Sequence, residues 1–301
     1  MQKYSFLLVL LLVCQELCAQ KIVFWNLENF FGYRNDSTAV PGWTKRRFET
    51  KCNAVAKSIL WIAGEEGGLP DAVGLEEVES AFVLRRLLQS TTLSKTDYRY
   101  IHFDSPDKRG IDAALLYRSS TLEFIDAKPC HILERDSSVI STRDILLARF
   151  RDTLGRDLAI LVNHHPSKYG GASSAGKRQL ALERMYAVMD SLKACGATRI
   201  VSGGDFNDSP APAPDGWINL AEELHRKGRG TIRFQGRWEM IDHVIVSDNL
   251  EGSRMKIIQI PFLMADDRTY GGKKPLRTFT GPRYSGGVSD HCPILVNIAE
   301  N

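Results

Sequence analysis

Five short apolar runs along the chain are each bordered by acidic, amide or histidine side chains. The runs cover residues 22–24, 72–75, 158–162, 198–202 and 293–296. They are too short for typical helices and are bounded by turn-forming residues, so the pattern predicts buried β-strands. On an extended segment, residues two positions apart point to the same side. Five polar clusters at strand ends therefore predict a single polar floor built from several strands.

Helical spacing of apolar residues separates some of these runs. It predicts helices over 44–61 and 174–193, and a third helix capped by Ser80. Early strands thus alternate with helices, whereas later apolar runs are joined by hairpin-like turns. The remaining predictions are strands over 98–102, 113–117, 122–127, 145–150, 231–234, 240–246 and 256–261, and a helix near 217–227. This mixture predicts an α/β fold with two packed β-sheets and outer helices.

The N-terminus has the pattern of a secretory signal. Lys3 precedes an apolar stretch over 6–13, and a small residue, Ala19, follows. This order predicts cleavage near Ala19, a secreted or periplasmic protein, and one mature domain over 20–301. A buried first strand or helix is the alternative, and a lipid anchor at Cys14 or Cys18 is weaker because Val13 and Leu17 precede them.

Composition and the absence of some motifs argue against only a few classes of function. The chain has 301 residues and a formal net charge of +3, too small to indicate a polyanion partner by itself. Without a Cys-x-x-Cys pair or a glycine-rich nucleotide motif, neither a thiolate zinc site nor a nucleotide cofactor is indicated. Four cysteines remain after cleavage, and their spacing selects neither a disulfide pairing nor free thiols: Cys52, Cys130, Cys195 and Cys292.

The most specific polar clusters are Gly204-Asp205-Phe206-Asn207 and Ser289-Asp290-His291. Three more lie at the other strand ends: Trp25-Asn26-Leu27-Glu28-Asn29, Leu75-Glu76-Glu77-Val78 and Asn163-His164-His165. In this order the set resembles the endonuclease/exonuclease/phosphatase superfamily, with the DNase I-like fold, across residues 22–296. One departure is Glu76, where the family has a neutral Gln. The resemblance implies a four-layer sandwich of two mixed sheets and a divalent-metal-dependent phosphoric ester hydrolase of secreted bacterial type.

The resemblance also implies a metal site. Glu77 is the first candidate ligand, with Asn26 and Asp290 nearby. Magnesium prefers carboxylate oxygens and keeps several waters, so few protein ligands are needed. Manganese or calcium are the alternatives, and the number of metal ions stays open.

The catalytic residues implied are Asp205, Asn207, His164, Asp242 and His291. Asp205 is expected to activate the attacking water and Asn207 to hold a phosphoryl oxygen. His291 is expected beside the scissile phosphate, with Asp242 fixing its tautomer and raising its pKa. The spacing from His164 to a later Ser matches the family pattern, although a shared role for the neighbouring histidine stays open.

The substrate is predicted less sharply. Arg109 and Lys168 are candidate substrate contacts, since basic residues and aromatics occur near the predicted rim. A phosphodiester is expected, with nucleic acid favoured, and a monomer with no stable protein partner and no integral membrane segment. The alternatives are a phosphatase or phosphodiesterase acting on sphingomyelin, phosphoinositides or another small ester, and a non-catalytic binding module.

Overall fold

The computed structural model describes residues 20–33, 42–168 and 171–299. The predicted signal segment, residues 1–19, lies outside the described residues and stays a prediction. None of the helices in the described ranges carries an apolar stretch long enough to cross a lipid bilayer.

The described chain contains strands and four α-helices. The strands are β1 (Lys21–Phe30), β2 (Ala72–Val78), β3 (Tyr98–His102), β4 (Asp112–Arg118), β5 (Leu122–Cys130), β6 (Ile145–Asp152), β7 (Asp157–His164), β8 (Ile200–Asp205), β9 (Trp217–Asn219), β10 (Ile232–Phe234), β11 (Arg237–Glu239), β12 (Asp242–Ser247), β13 (Arg254–Ile257), β14 (Met264–Asp266), β15 (Lys273–Pro275), β16 (Phe279–Thr280), β17 (Arg283–Tyr284) and β18 (Ile294–Asn297). The α-helices are α1 (Lys45–Glu65), α2 (Ala81–Gln89), α3 (Gly171–Ala194) and α4 (Glu222–Arg226).

Two six-stranded mixed sheets form the centre of the molecule. The first has the order β13-β18-β1-β2-β4-β3, and the second has the order β5-β6-β7-β8-β12-β9. Each contains one parallel pair, β1 with β2 and β7 with β8, while the other neighbours are antiparallel. Three separate two-stranded hairpins complete the strands: β10–β11, β14–β15 and β16–β17.

Alternation along the strands explains the layers. In β1, Ile22 and Phe24 pack into the core between the sheets, while Val23 and Trp25 pack with side chains of α1 and α2 on the outer face. Side chains of α3, such as Met185, pack on the outer face of the second sheet. The predicted four-layer α/β sandwich is confirmed.

Phe24 sets how closely the two sheets approach. Its ring lies against Gly74 and Gly203, where an added Cβ would come within 2.6 Å and 2.4 Å of ring carbons. Real Cβ atoms essentially never come that close, so glycine is needed at both positions. The contact packs β1 closely against β2 and β8.

Two predictions of secondary structure need correction, and one short strand was missed. The strand predicted over 256–261 is observed at Arg254–Ile257, and Pro261–Leu263 forms a 3-10 helix instead. Residues 217–227 are not one helix, because Trp217–Asn219 pairs with β12 and only Glu222–Arg226 is helical. The strand Arg237–Glu239 was not expected, since its polar residues gave no apolar pattern. The four cysteines of the described residues are free, with Cys195 exposed and the other three buried.

Candidate active site

The polar clusters meet where the parallel strands end. His164 and Asp205 are register partners at the ends of β7 and β8, and Asn26 is paired with Glu76 near the ends of β1 and β2. Asp242 opens β12 opposite Asp205, since those two strands are antiparallel. The residues before β18 reach the same edge. The sheet topology therefore brings residues that are far apart in sequence to one polar surface at these strand ends, which we call the floor.

Asp205 is held by amide donors on its buried carboxylate. Its Oδ2 accepts hydrogen bonds from Nδ2 of Asn26 and Nδ2 of Asn207, each at 3.1 Å, and its Oδ1 accepts one from the Asn207 backbone N at 2.8 Å. Burial raises the pKa of Asp205 to about 7, and the nearby Asp242 carboxylate adds to the rise. The group is thus oriented and able to exchange a proton near neutral pH.

Asp242 and His291 form a buried pair. The Nδ1 atom of His291 lies 3.1 Å and 2.9 Å from the two oxygens of Asp242, and Thr231 Oγ1 donates a further hydrogen bond to Asp242. Burial acts to lower the pKa of His291, but Asp242 and Asp205 raise it well above the ordinary value. The imidazole is therefore a cation, with its Nε2 atom 3.9 Å from Asp205 Oδ2.

His164 faces the same floor but is neutral. Burial, and then the charge of Arg143, keep its pKa well below the ordinary value. Its Nε2 atom lies 3.6 Å from Asp205 and 3.7 Å from Glu77, so these are polar contacts rather than ion pairs. The neighbouring His165 instead packs on Phe206, with ring centroids 4.7 Å apart. Only His164 of the two faces the carboxylates of Asp205 and Glu77.

The three predicted metal ligands lie around Asp205 and the two histidines of the floor. Glu77 Oε2 accepts a hydrogen bond from the Asn29 backbone N at 2.6 Å, while its Oε1 points towards His164. Asn26 Oδ1 accepts the Glu28 backbone N at 2.8 Å, so its amide is already oriented. Asp290 Oδ1 lies 3.9 Å from His291 Nε2.

A compact set of ligand atoms forms elsewhere on the floor. Asp205, Asp242 and His291 place one ligand atom each within 4.8 Å of one another. The family resemblance implies catalytic rather than metal-binding roles for these three residues. The structure thus places the predicted metal-binding and catalytic residues in adjoining positions, and both sets offer the oxygen atoms that hard divalent cations prefer.

Backbone strain is concentrated at the floor. Glu28, Asn29, Glu77 and Asn207 have positive φ angles of 47°, 53°, 62° and 51°. The pairing register shifts between Asn26 and Phe30 and between Leu75 and Val78, as in β-bulges. A regular strand would alternate these side chains strictly, so the irregularities reorient the acidic groups.

Glu76, the departure from the family pattern, is completely buried. Neither of its carboxyl oxygens has a hydrogen-bond partner among the described residues. Burial, followed by the charges of Asp242 and Asp205, raises its pKa well above the ordinary value. It packs against Gly204, where an added Cβ would lie 2.7 Å from Glu76 Oε1 and 2.2 Å from the Asn163 carbonyl. Glu76 therefore lies beneath the floor as a neutral acid.

Sequence reasoning missed two cationic side chains that contact Glu28 of β1, Arg277 between β15 and β16 and Lys51 on α1. The Arg277 guanidinium contacts Glu28 Oε1 at 2.6 Å and Asp290 Oδ2 at 3.3 Å. Below it, the buried Lys51 donates to the Glu28 carbonyl at 2.7 Å. Burial lowers the pKa of Lys51 to about 8 and raises that of Glu28 to about 7. Lys51 lies inside an otherwise apolar helix face, which was the available signal.

A third missed cation lies beside His164. Arg143 is buried and donates to the His165 carbonyl at 2.6 Å and to Asp107 Oδ2 at 3.0 Å. Arg109, predicted to bind substrate, is half-exposed and lies 3.6 Å from the same Asp107. The other predicted contact, Lys168, lies 3.7 Å from Glu239 on β11. Both predicted contacts are therefore at the rim of the floor rather than on it.

Comparisons with known proteins agree with this architecture. Among solved structures, the human Nocturnin catalytic domain with a bound sulfate anion shares 16% identity, with a TM-score of 0.61 over 94% of this chain and 95% of that chain. An endonuclease/exonuclease/phosphatase family protein from Bacteroides thetaiotaomicron shares 15% identity, with a TM-score of 0.61 over 94% and 98%. D. rerio TDP2 complexed with a single-strand DNA product shares 15% identity, with a TM-score of 0.58 over 93% and 99%. These likenesses show the fold.

A search of curated protein sequences finds no match. The Endonuclease/Exonuclease/phosphatase family model, however, matches residues 21–300, nearly the whole chain. The family predicted from the strand-end motifs is confirmed, and its members hydrolyse phosphoric esters. The chain belongs to the endonuclease/exonuclease/phosphatase family.

Proposed function

We propose that this protein is an exported, divalent-metal-dependent phosphodiesterase that cleaves nucleic acid by in-line attack of water. The observation that carries the proposal is the convergence of Asp205, Asn207, His164 and the Asp242–His291 pair on one floor. Such a floor supplies a base, amide donors, a neutral imidazole and a cation within a few ångströms. These are the groups that phosphoryl transfer to water needs.

Asp205 serves as the general base in this proposal. Its carboxylate is fixed by Asn26 and Asn207, so it presents an oriented oxygen to a water. A pKa near neutrality lets it accept the proton of the attacking water at physiological pH. Asn207 lies beside it, and its Nδ2 donates to Asp205 Oδ2 at 3.1 Å and to the His165 carbonyl at 3.0 Å. In the proposal one of these bonds is exchanged for a bond to a phosphoryl oxygen, which an uncharged amide holds without repulsion.

His291 and His164 act on the charge of the phosphoryl group. His291 is kept protonated by Asp242, so it stabilises negative charge that develops in the transition state. His164 is kept neutral by burial and Arg143, and as a neutral ring it donates or accepts one hydrogen bond without adding charge. The two imidazoles therefore have different tasks, set by their surroundings.

The acidic composition of the floor fits a divalent cation. Five carboxyl groups lie at the floor besides the protonated Glu76, with four cationic side chains among them: Glu28, Glu77, Asp205, Asp242 and Asp290, with Lys51, Arg143, Arg277 and His291. Glu77, Asp290 and Asn26 are the residues we assign to hold it. When bound, the cation would offset charge on the phosphoryl group, with Mg²⁺ the proposed ion.

Nucleic acid is proposed as the substrate on two grounds. Arg109 and Lys168 lie at the rim, where they can contact phosphates on either side of the cleaved bond. In addition, a protein of the same fold, D. rerio TDP2, was solved with a single-strand DNA product.

Metal dependence is the direct test of this function. Purified residues 20–301 should hydrolyse bis(p-nitrophenyl) phosphate and DNA with Mg²⁺ or Mn²⁺ and lose activity in excess chelator. Glu77→Gln should weaken Mn²⁺ binding measured by calorimetry and lower turnover, because one carboxylate ligand is lost. Undiminished activity in chelator would rule out the metal-dependent proposal. Parallel assays should include RNA, sphingomyelin and soluble inositol phosphates. Faster hydrolysis of one of these than of DNA would identify a different ester substrate.

Export is proposed from the residue order of 1–19 alone. The mature protein should begin near Gln20 and be recovered outside the cytoplasm. Intact-mass measurement of the protein from its own cells checks this. A mass that includes Met1 would contradict cleavage.

A further inference from the structure

Two aromatic side chains stand out on the surface. Phe234 and Tyr270 are 56% and 55% exposed, and within the described ranges no other aromatic side chain is more than half exposed. They lie on neighbouring hairpins, Phe234 at the end of β10 and Tyr270 in the turn between β14 and β15. Exposed aromatic rings on adjoining elements need a reason, since burying each would stabilise the fold.

The two hairpins are held in a defined arrangement. Arg233 donates hydrogen bonds to the Lys273 carbonyl at 2.6 Å and to the Gly236 carbonyl at 3.1 Å, which ties one hairpin to the other. Gly236 has a φ of 81°, and an added Cβ there would lie 2.7 Å from Tyr270 Cβ. The Cβ and Cγ atoms of Tyr270 are thereby packed against the β10–β11 turn, while more than half of the side chain stays exposed. We call Phe234 and Tyr270, with Arg233 between the hairpins, the aromatic platform.

The aromatic platform is joined directly to the catalytic floor. Thr231, just before β10, donates to Asp242, and Ile232 forms a β-bridge with His291. Phe234 is two residues further along the strand, about 7 Å at the usual rise per residue. The spacing of about 4.8 Å between paired strands is at right angles to this rise, so the backbone at Phe234 lies about 8 Å from that at His291.

The charges around the platform are mainly positive. The segments 231–239 and 264–275 contain five Lys or Arg residues and three acids. Two of the acids form ion pairs with lysines, Asp266 with Lys273 and Asp267 with Lys274. Glu239 faces Lys168. The surface therefore offers exposed ring faces in a cationic setting.

We propose that the aromatic platform binds the unpaired strand of a nucleic acid substrate, two or three nucleotides away from the cleaved phosphodiester, by stacking bases on Phe234 and Tyr270. The inference rests on the proposed function and deepens it by specifying a single-stranded segment. Stacking suits every base, and cations beside the rings attract the phosphates. Stacked nucleotides are spaced about 3.4 Å apart along a strand, so a distance of about 8 Å corresponds to two or three of them.

The test compares substrates of two lengths. The double variant Phe234→Ala/Tyr270→Ala should raise the ratio of KM for an oligodeoxynucleotide of about ten residues to KM for a dinucleotide by about tenfold or more, because each stacked base contributes about 1–3 kcal/mol. Fluorescence anisotropy of the labelled oligodeoxynucleotide in chelator should show weaker binding by a similar factor. Phe234→Trp should retain binding, since it preserves the ring face.

Phe124→Ala is the matched control. Phe124 is an aromatic side chain that is 44% exposed. It pairs with Phe150 on β6, which in turn pairs with Leu158 on β7. Leu158 is at the end of β7 opposite His164, so Phe124 lies away from the floor. Its KM ratio and oligonucleotide binding should equal those of the unaltered protein.

Unchanged oligodeoxynucleotide binding in the double variant would overturn the proposal for the aromatic platform. An equal rise in KM for both substrate lengths would also overturn it. Preferential binding of phosphatidylserine vesicles over the oligonucleotide would also overturn it. Failure of the unaltered protein to cleave any nucleic acid, with bis(p-nitrophenyl) phosphate still hydrolysed, would instead remove the nucleic acid part of the proposed function.

Discussion

Replacement of Asp205 by Ala is expected to lower turnover of a phosphodiester by about a hundred- to ten-thousand-fold, the range typical of a lost general base. His291→Ala should cost a comparable factor, because the charged imidazole facing the phosphoryl group disappears. Steady-state kinetics with saturating Mg²⁺ measure both. The losses in the double variant should be far from additive, since the two groups act on one transition state.

The same experiment has an internal check in its pH dependence. Burial raises the pKa of Asp205 to about 7 in the metal-free site, and a cation bound nearby would lower it. With saturating Mg²⁺, kcat/KM should therefore show an acid limb at or below about pH 7, where this base becomes protonated. Asp205→Ala should lose this acid limb of the pH profile, because the titrating base is gone. Asp157→Asn, at the opposite end of β7 and exposed, should keep it. Near-normal turnover of His291→Ala would contradict the role given to the Asp242–His291 pair.

Glu76→Gln is expected to stabilise the metal-free protein by an amount that grows with pH. Glu76 holds its proton in the folded state, because its pKa is raised well above 4.5, whereas in the unfolded chain it ionises near its ordinary pKa. Above that pH, unfolding therefore releases a proton, and the unaltered protein loses up to about 1.4 kcal/mol of stability per pH unit. A glutamine side chain at this position does not ionise, so the variant escapes this loss.

Urea unfolding in chelator at several pH values between about 5 and 8 checks this expectation. The difference in unfolding free energy between Glu76→Gln and the unaltered protein should be small at acid pH and increase as pH rises. Glu123→Gln, an exposed position on β5, should show a flat difference. A flat difference for Glu76→Gln as well would mean that Glu76 is ionised in the folded protein.

Much of the fold and of the family assignment was determined by the sequence itself. Strand-like runs over 22–24, 72–75 and 158–162 lie within β1, β2 and β7, since a buried strand needs apolar side chains whatever its neighbours are. The helix predicted over 44–61 corresponds to the observed Lys45–Glu65, with Thr44 as its N-cap. The short polar motifs at the ends of these strands identified the superfamily, because their residue types and their order along the chain match the family pattern.

Short elements were harder to predict because local pattern does not define them. Trp217–Asn219 is a strand only because β12 pairs with it, although its sequence fits a helix. Arg237–Glu239 is polar and forms a strand only as the return of a hairpin. In both cases tertiary pairing overrides propensity.

Only the tertiary structure decided how the site residues act. The sequence offered two adjacent histidines, and packing leaves His164 on the floor while His165 contacts Phe206. It offered two adjacent glutamates, and a register shift in β2 places Glu77 near His164 and Glu76 under the floor without a hydrogen-bond partner among the described residues. Neither outcome is encoded by local spacing. Protonation states and bulges depend on burial and on charges from distant strands, and these exist only once the two sheets have packed.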